Sequence, residues 1–179
     1  MSEPFLSDIN RALMNPHWRP DNRLSQSLLP THLEPWLSHR GSLTAALKAI
    51  ADGTFEVEVI RQTIQQPFWH EQKVNGGMSG YAAMVREVRL RIYREPVVYA
   101  RSIIPLSLSG RGGGGLASLG KSPLGHLLFK SGQIHVASRE FAQLLIANEA
   151  VYARRTPYDY LDQSILVSEV FLPRFLNYL

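Results

Sequence analysis

The spacing of hydrophobic positions changes several times along the chain, and each change predicts an element. Ser42 precedes Leu43-Thr-Ala-Ala-Leu-Lys-Ala-Ile50, whose apolar residues recur at helical spacing. This predicts a helix with Ser42 as its N-cap and a stop at Gly53. Over residues 54–66 the period falls to two and β-branched residues dominate, which predicts a strand. A second strand is expected over 83–94 and a third over 97–104, joined as an antiparallel hairpin by a turn at Glu95-Pro96. Residues 123–130 read as a short helix with Pro123 in its first turn and Gly132 beyond its end. Two closing strands are expected over 151–160 and 165–172.

The other segments are less regular. Residues 1–35 contain Pro4, Pro16, Pro20, Pro30 and Pro35, and a variable, irregular N-terminal segment is expected there. Residues 73–80 and 106–115 read as loops, and 134–147 does not divide into elements. Strands that follow one another without intervening helices predict an α+β fold, one domain over residues 1–179 with a mainly antiparallel sheet.

Charges that interrupt the strand alternation are the most informative feature. Met84, Val88, Leu90 and Ile92 share one face of the second strand and Arg86 falls among them, whereas Glu87, Arg89 and Arg91 fall on a face expected to be solvated. Glu169 stands in the same way among Ile165, Val167 and Phe171, and Arg101, between Tyr99 and Ile103, is a weaker third case. An ionised side chain on a core face must be paired, or solvated by a ligand or a water-filled cavity. Two readings follow: Arg86 and Glu169 form a buried structural ion pair, or they line a pocket whose arginine takes an anionic ligand.

Composition narrows the chemistry. The 179 residues are 45% hydrophobic and 19% charged, enough to build a core, and the absence of cysteine excludes disulfides, thiolate metal sites and a cysteine nucleophile. Of 19 Lys+Arg, only Lys48, Lys73, Lys121 and Lys130 are lysines, a bias toward bidentate binding of carboxylate or phosphate. The pI near 9.6 raises nucleic acid as a partner, but the arginines are scattered and Arg154-Arg155 is the longest basic cluster, so none is expected. No apolar run is long enough to cross a bilayer and the N-terminus lacks a signal-peptide pattern; a soluble cytoplasmic monomer without stable membrane insertion is expected.

Gly115-Leu-Ala-Ser-Leu-Gly-Lys121-Ser122 fits the phosphate-loop pattern G-x-x-x-x-G-K-[ST]. No strand leads directly into it, and Pro123 pushes Ser122 out of the helical region, so Ser122 reads as an N-cap rather than a magnesium ligand. That helix start leaves the Leu124 N–H without an intrahelical acceptor and suited to a carboxylate. The six histidines show no metal-ligand spacing and no G-x-S-x-G occurs, so no metal and no serine nucleophile are expected.

Several stretches together carry a family resemblance: Trp36-Leu37 with Gly41-Ser-Leu-Thr44, Val85-Arg-Glu-Val88, Glu95-Pro96 leading to Ala100-Arg-Ser-Ile-Ile-Pro105, Leu119-Gly-Lys-Ser-Pro-Leu-Gly125 with Leu127-Leu-Phe129, Arg154-Arg155, and Val167-Ser-Glu-Val-Phe-Leu-Pro173. Over residues 36–173 the chain resembles the bacterial chorismate pyruvate-lyase family; residues 1–35, 67–81 and 112–115 depart from its pattern. The resemblance implies a six-stranded antiparallel sheet with helices over one face, enclosing a ligand pocket. It implies conversion of chorismate to 4-hydroxybenzoate and pyruvate, the first step of ubiquinone biosynthesis, without cofactor. It places ligand contacts on Leu43, Arg86, Leu124 and Glu169, with Arg86 and the Leu124 N–H on the ring carboxylate. Glu169 would contact the ring hydroxyl or act as a base at C4, so Arg86 and Glu169 are the expected catalytic residues. The alternative is a non-catalytic binder of aromatic carboxylates with the same fold, as in the effector domains of some bacterial regulators. A regulator would need a winged-helix domain upstream, for which residues 1–35 are too short and proline-broken.

Overall fold

The structure, a computed structural model, describes residues 3–20, 29–74, 80–109, 120, 122, 124, 125, 128 and 134–179. Three long strands, β2 (Glu56–Gln65), β3 (Ala83–Ile92) and β4 (Glu95–Pro105), form one meander. A second comprises β6 (Glu140–Ile146), β7 (Glu149–Tyr160) and β8 (Gln163–Phe171). The meanders join where β4 pairs with β8, from Val98↔Phe171 to Ile103↔Leu166, and every pairing is antiparallel. Two short strands, β1 (Arg19–Pro20) on β6 and β5 (His135–Val136) on β7, bring the sheet to eight strands; seven run in the order β1-β6-β7-β8-β4-β3-β2, and β5 pairs with β7 off that path. The resemblance implied six strands and the sheet has eight; the two beyond that count, β1 and β5, are two-residue strands, too short to show a period.

The hairpin turn expected at Glu95-Pro96 lies instead at Tyr93-Arg94, with φ of 48° and 64°. Ala147-Asn148 and Leu161-Asp162 repeat this arrangement. A two-residue turn with both φ positive matches the twist of its strands, and proline cannot adopt it, so Pro96 falls inside β4.

Residues 3–20 and 29–35 hold more regular structure than their prolines suggest. Helix α1 (Glu3–Met14) carries Pro4 in its first turn, where no intrahelical N–H bond is lost, and Pro16 lies beyond its end. Its stripe Leu6, Ile9, Ala12 and Leu13 packs on Tyr99, Ala142 and Val170. Helix α2 (Glu34–Ser38) likewise has Pro35 at its start, while residues 21–28 lie outside the described residues.

Helix α3 (Leu43–Ile50) forms as its pattern predicts: Ser42 Oγ accepts the Ala45 N–H at 3.3 Å, and Gly53 takes a φ of 79° just past the end. A short helix not evident in the sequence, α4 (Trp69–Val74), begins where Glu71 reaches back to accept the Phe68 N–H at 2.8 Å. One turn, α5 (Leu106–Ser109), opens the segment expected to be a loop; residues 110–115 and 75–79 lie outside the described residues. Of the helix expected over 123–130, residues 124, 125 and 128 are helical and the others lie outside the described residues.

The helices cover both faces of the sheet, not one. Leu43 and Leu47 of α3 pack on Val57, Val88, Leu90, Val98 and Phe171. The α1 stripe meets Tyr99 and Val170, which point to the other side of β4 and β8.

Candidate functional site

Register sets out the site on the α3 face. Arg86, Ser102 and Val167 align across β3, β4 and β8, and one step along, Val88, Ala100, Glu169 and Arg154 align across β3, β4, β8 and β7. Two strands and two residues separate Arg86 from Glu169, which puts their Cα atoms about 12 Å apart. Between them lies a cavity of about 50 Å³, lined in part by Leu43, Thr44, Arg86, Ser102, Leu124 and Glu169. The four site residues expected from the sequence, Leu43, Arg86, Leu124 and Glu169, therefore share one cavity.

Arg86 and Glu169 do not pair with each other. Arg86, only 2% exposed, donates from Nη1 to Gln62 Oε1 at 2.6 Å and from Nη2 to the carbonyls of Gly120 and Ser122 at 2.9 and 3.2 Å. All three acceptors are neutral, and burial pushes the guanidinium pKa down from its ordinary value. Gln62 faces Arg86 because β2 has a bulge between Val59 and Arg61, which shifts every later residue of the strand by one face. Of the phosphate-loop match, Gly120 and Ser122 thus present carbonyl oxygens to Arg86, while 115–119 and Lys121 lie outside the described residues.

Glu169 instead accepts from Arg154 Nε at 2.5 Å through Oε2, and its Oε1 has no hydrogen bond among the described residues. Arg154 is fully buried and donates from Nη1 to the carbonyls of Trp36 at 2.7 Å and His39 at 2.9 Å. Arg139 joins it, with Nη1 on the carbonyls of Ser38 at 3.0 Å and His39 at 2.6 Å. These carbonyls end α2, where a helix has no acceptor-side partners of its own, so the two cations hold the chain that leads into Ser42 and Leu43. In the sequence Arg154 stands out as half of the basic pair Arg154-Arg155 and not as a site residue, although it interrupts Tyr152, Thr156 and Tyr158 on β7 as Arg86 interrupts β3. Burial, then the nearby Glu169 carboxylate, raises the Tyr158 phenol pKa. Burial, then Arg154, lowers that of His39.

The opposite face corrects the expectation of a solvated side for Glu87. That carboxylate is buried beneath α4 and accepts from Arg101 Nη1 at 2.6 Å and Arg61 Nη2 at 3.0 Å. Arg101 also binds Glu71 through Nε and Nη2 at 2.8 and 3.0 Å and lies over the Phe68 ring at 4.2 Å. Arg89 and Arg91, nearer the strand end, pair with Glu58 in partly exposed positions. Among the described residues no three His, Cys, Asp or Glu side chains converge as a metal site, and no helix is long and apolar enough to cross a membrane.

An antiparallel sheet with a charged cavity under a capped helix defines an α+β domain. Residues 12–178 match the family model described as Chorismate lyase, and the chain belongs to that family. It is 36% identical over 157 residues to a "Probable chorismate pyruvate-lyase" of Methylococcus capsulatus, covering 81% of this chain and 97% of that one. A protein of the same description from Pseudomonas aeruginosa is 38% identical over 169 residues, covering 89% and 92%. Among solved structures, YydK of Bacillus subtilis, a possible transcriptional regulator, superposes with a TM-score of 0.51 at 8% identity, over 68% of this chain and 60% of that one. A Streptomyces coelicolor structure gives a TM-score of 0.52 at 10% identity, over 66% and 87%. These two likenesses concern the fold alone.

Proposed function

We propose that the chain is a lyase that converts chorismate to 4-hydroxybenzoate and pyruvate in this cavity, the first step of ubiquinone biosynthesis. One observation carries the reading within the family: a buried guanidinium, Arg86, has only neutral acceptors among the described residues and faces the same cavity as a buried carboxylate, Glu169. A buried cation without a counter-charge suits an anionic ligand, and chorismate is a dianion.

The reaction breaks the bond from ring C3 to the enolpyruvyl oxygen and removes the hydrogen at C4. The enol carbon gains a proton and leaves as pyruvate, and the ring becomes aromatic with its hydroxyl still on C4. Aromatisation supplies the driving force, so the protein's task is to hold one reactive conformer, and the reading invokes no metal or organic cofactor. Arg86 and the Leu124 N–H bind the ring carboxylate. Leu43 packs on the ring, and Glu169 addresses the C4 end through Oε1 while Arg154 holds its other oxygen, Oε2, in place. The ligand must widen the cavity and take over the Arg86 donors now held by Gly120 and Ser122. The single domain acts as a cytoplasmic monomer and needs neither nucleic acid nor a membrane surface.

Incubating the purified chain with chorismate tests this reading. Pyruvate, followed by a coupled dehydrogenase, and 4-hydroxybenzoate, followed by absorbance, should appear in equal amounts, with and without a chelator. Binding of 4-hydroxybenzoate with no pyruvate formed would make the chain the non-catalytic binder instead.

A further inference from the structure

The charged ends of the cavity leave two polar groups between them without a role. Ser102, 5% exposed, lies on the floor strand β4 between Arg86 and Val167, and Thr44, 8% exposed, comes from the first turn of α3. Both line the cavity, and neither hydroxyl has a hydrogen-bond partner among the described residues. Buried hydroxyls are ordinarily paired, so two unpaired ones facing the same small space point to a polar group that arrives from outside.

We propose that Ser102 and Thr44 bind the carboxylate of the enolpyruvyl arm and so distinguish substrate from product. The proposal rests on the lyase reading above. With the ring carboxylate at Arg86 and the C4 hydroxyl at Glu169, the C3 arm is the remaining polar substituent. C3 lies beside the line joining those two groups, and that line crosses β4 at Ala100 and Ser102. Ala100, with a methyl group alone, leaves room above the floor where an arm can fold back. The hydroxyls would hold the C3–O bond in one orientation relative to the C4 hydrogen, which is the geometry the elimination needs. Neutral donors also suit a group that must depart, because they grip free pyruvate less tightly than a guanidinium would.

The test compares substrate and product in Ser102→Ala, Thr44→Val and the double variant. For each, kcat and KM are measured with chorismate, the Kd of 4-hydroxybenzoate is measured by titration, and a melting curve reports folding. Each single change should lower kcat/KM about tenfold and the double about a hundredfold, the weight of one and two hydrogen bonds. The Kd of 4-hydroxybenzoate, which has no arm, should stay within about twofold, and Ser102→Thr, which keeps the hydroxyl, should restore most of the loss. If Ser102→Ala does not fold, Thr44→Val alone makes the same comparison. An active parent whose variants lose product affinity in step with kcat/KM, or lose neither, overturns this proposal alone. A parent that forms no pyruvate overturns the lyase reading first, and this proposal with it.

Discussion

The two faces of the sheet both bury arginine and glutamate, and they dispose of the charge differently. On the α1 face the network closes: Arg101 uses its donors on Glu71 and Glu87, and Arg61 completes Glu87. On the α3 face it stays open among the described residues, with Arg86 on neutral oxygens and Glu169 keeping one oxygen unengaged. Burial of charge is common to both faces, so burial alone does not mark a site. The distinguishing feature is a charge whose counter-charge is missing.

Breaking the closed face should have the largest effect. Arg101→Met leaves Glu71 buried opposite no guanidinium and Glu87 with Arg61 alone, and should cost about 3–5 kcal/mol in urea unfolding. Arg86→Met leaves no carboxylate behind, and should change stability by about 1 kcal/mol or less. Equal losses in the two variants would erase the contrast between the faces. Glu169→Gln sits between these cases, because it takes the counter-charge from Arg154 as well as the carboxylate from the cavity. It should cost about 1.5–3 kcal/mol of stability and also lower kcat, whereas a purely structural Glu169 would leave the kcat of the folded fraction unchanged.

Arg86→Met should weaken 4-hydroxybenzoate binding about 10–100-fold, while Glu87→Gln, on the closed face, should leave that Kd unaltered once folding is accounted for. The smallest effect concerns His70, whose Nε2 donates to the Leu13 carbonyl at 2.8 Å and whose Nδ1 accepts from Arg155 at 3.0 Å. That pattern requires the neutral ring, and burial lowers its pKa below the ordinary 6.5. Its contribution to stability is therefore complete above pH 6.5 and declines as the pH falls toward the folded-state pKa. Urea midpoints at about pH 7.5 and pH 5.5 should differ less in His70→Gln than in the parent; an equal difference would place the acid sensitivity elsewhere, with His39 the next group to examine.

The five strands of nine residues or more were legible from their alternation, whereas β6, with seven residues in a mixed segment, was not. Helix α1 was not, because Pro4 and Pro16 look like breakers until their places, in the first turn and past the last, are known. Arg86 was legible as a misplaced charge, yet its partner was not, since Gln62 reaches it only through a bulge that no local pattern announces. Glu87 looked solvated because its cover, α4, forms in a segment without helical periodicity. Arg154 read as half of a basic pair, when the alternation of β7 already set it apart from Arg155. Neighbours in sequence gave the direction of each side chain, and neighbours in space decided its meaning.

Arg86 belongs to the first meander and Glu169 to the second, so the cavity straddles the line where β4 meets β8. Inside each meander, pairing propagates from two-residue turns, whereas the seam must bring Val98 to Phe171 across most of the second half of the chain. Contacts between distant residues carry the larger loop-closure penalty and form late. Refolding should therefore show strand signal in the far-UV before any capacity to bind 4-hydroxybenzoate, and the ligand response should follow the slowest phase in stopped-flow mixing. Ligand binding that develops together with the first strand signal would contradict this order. If the order holds, a newly synthesised chain acquires its activity in the closing moment of its folding, and damage to the seam silences it while both halves are still largely in shape.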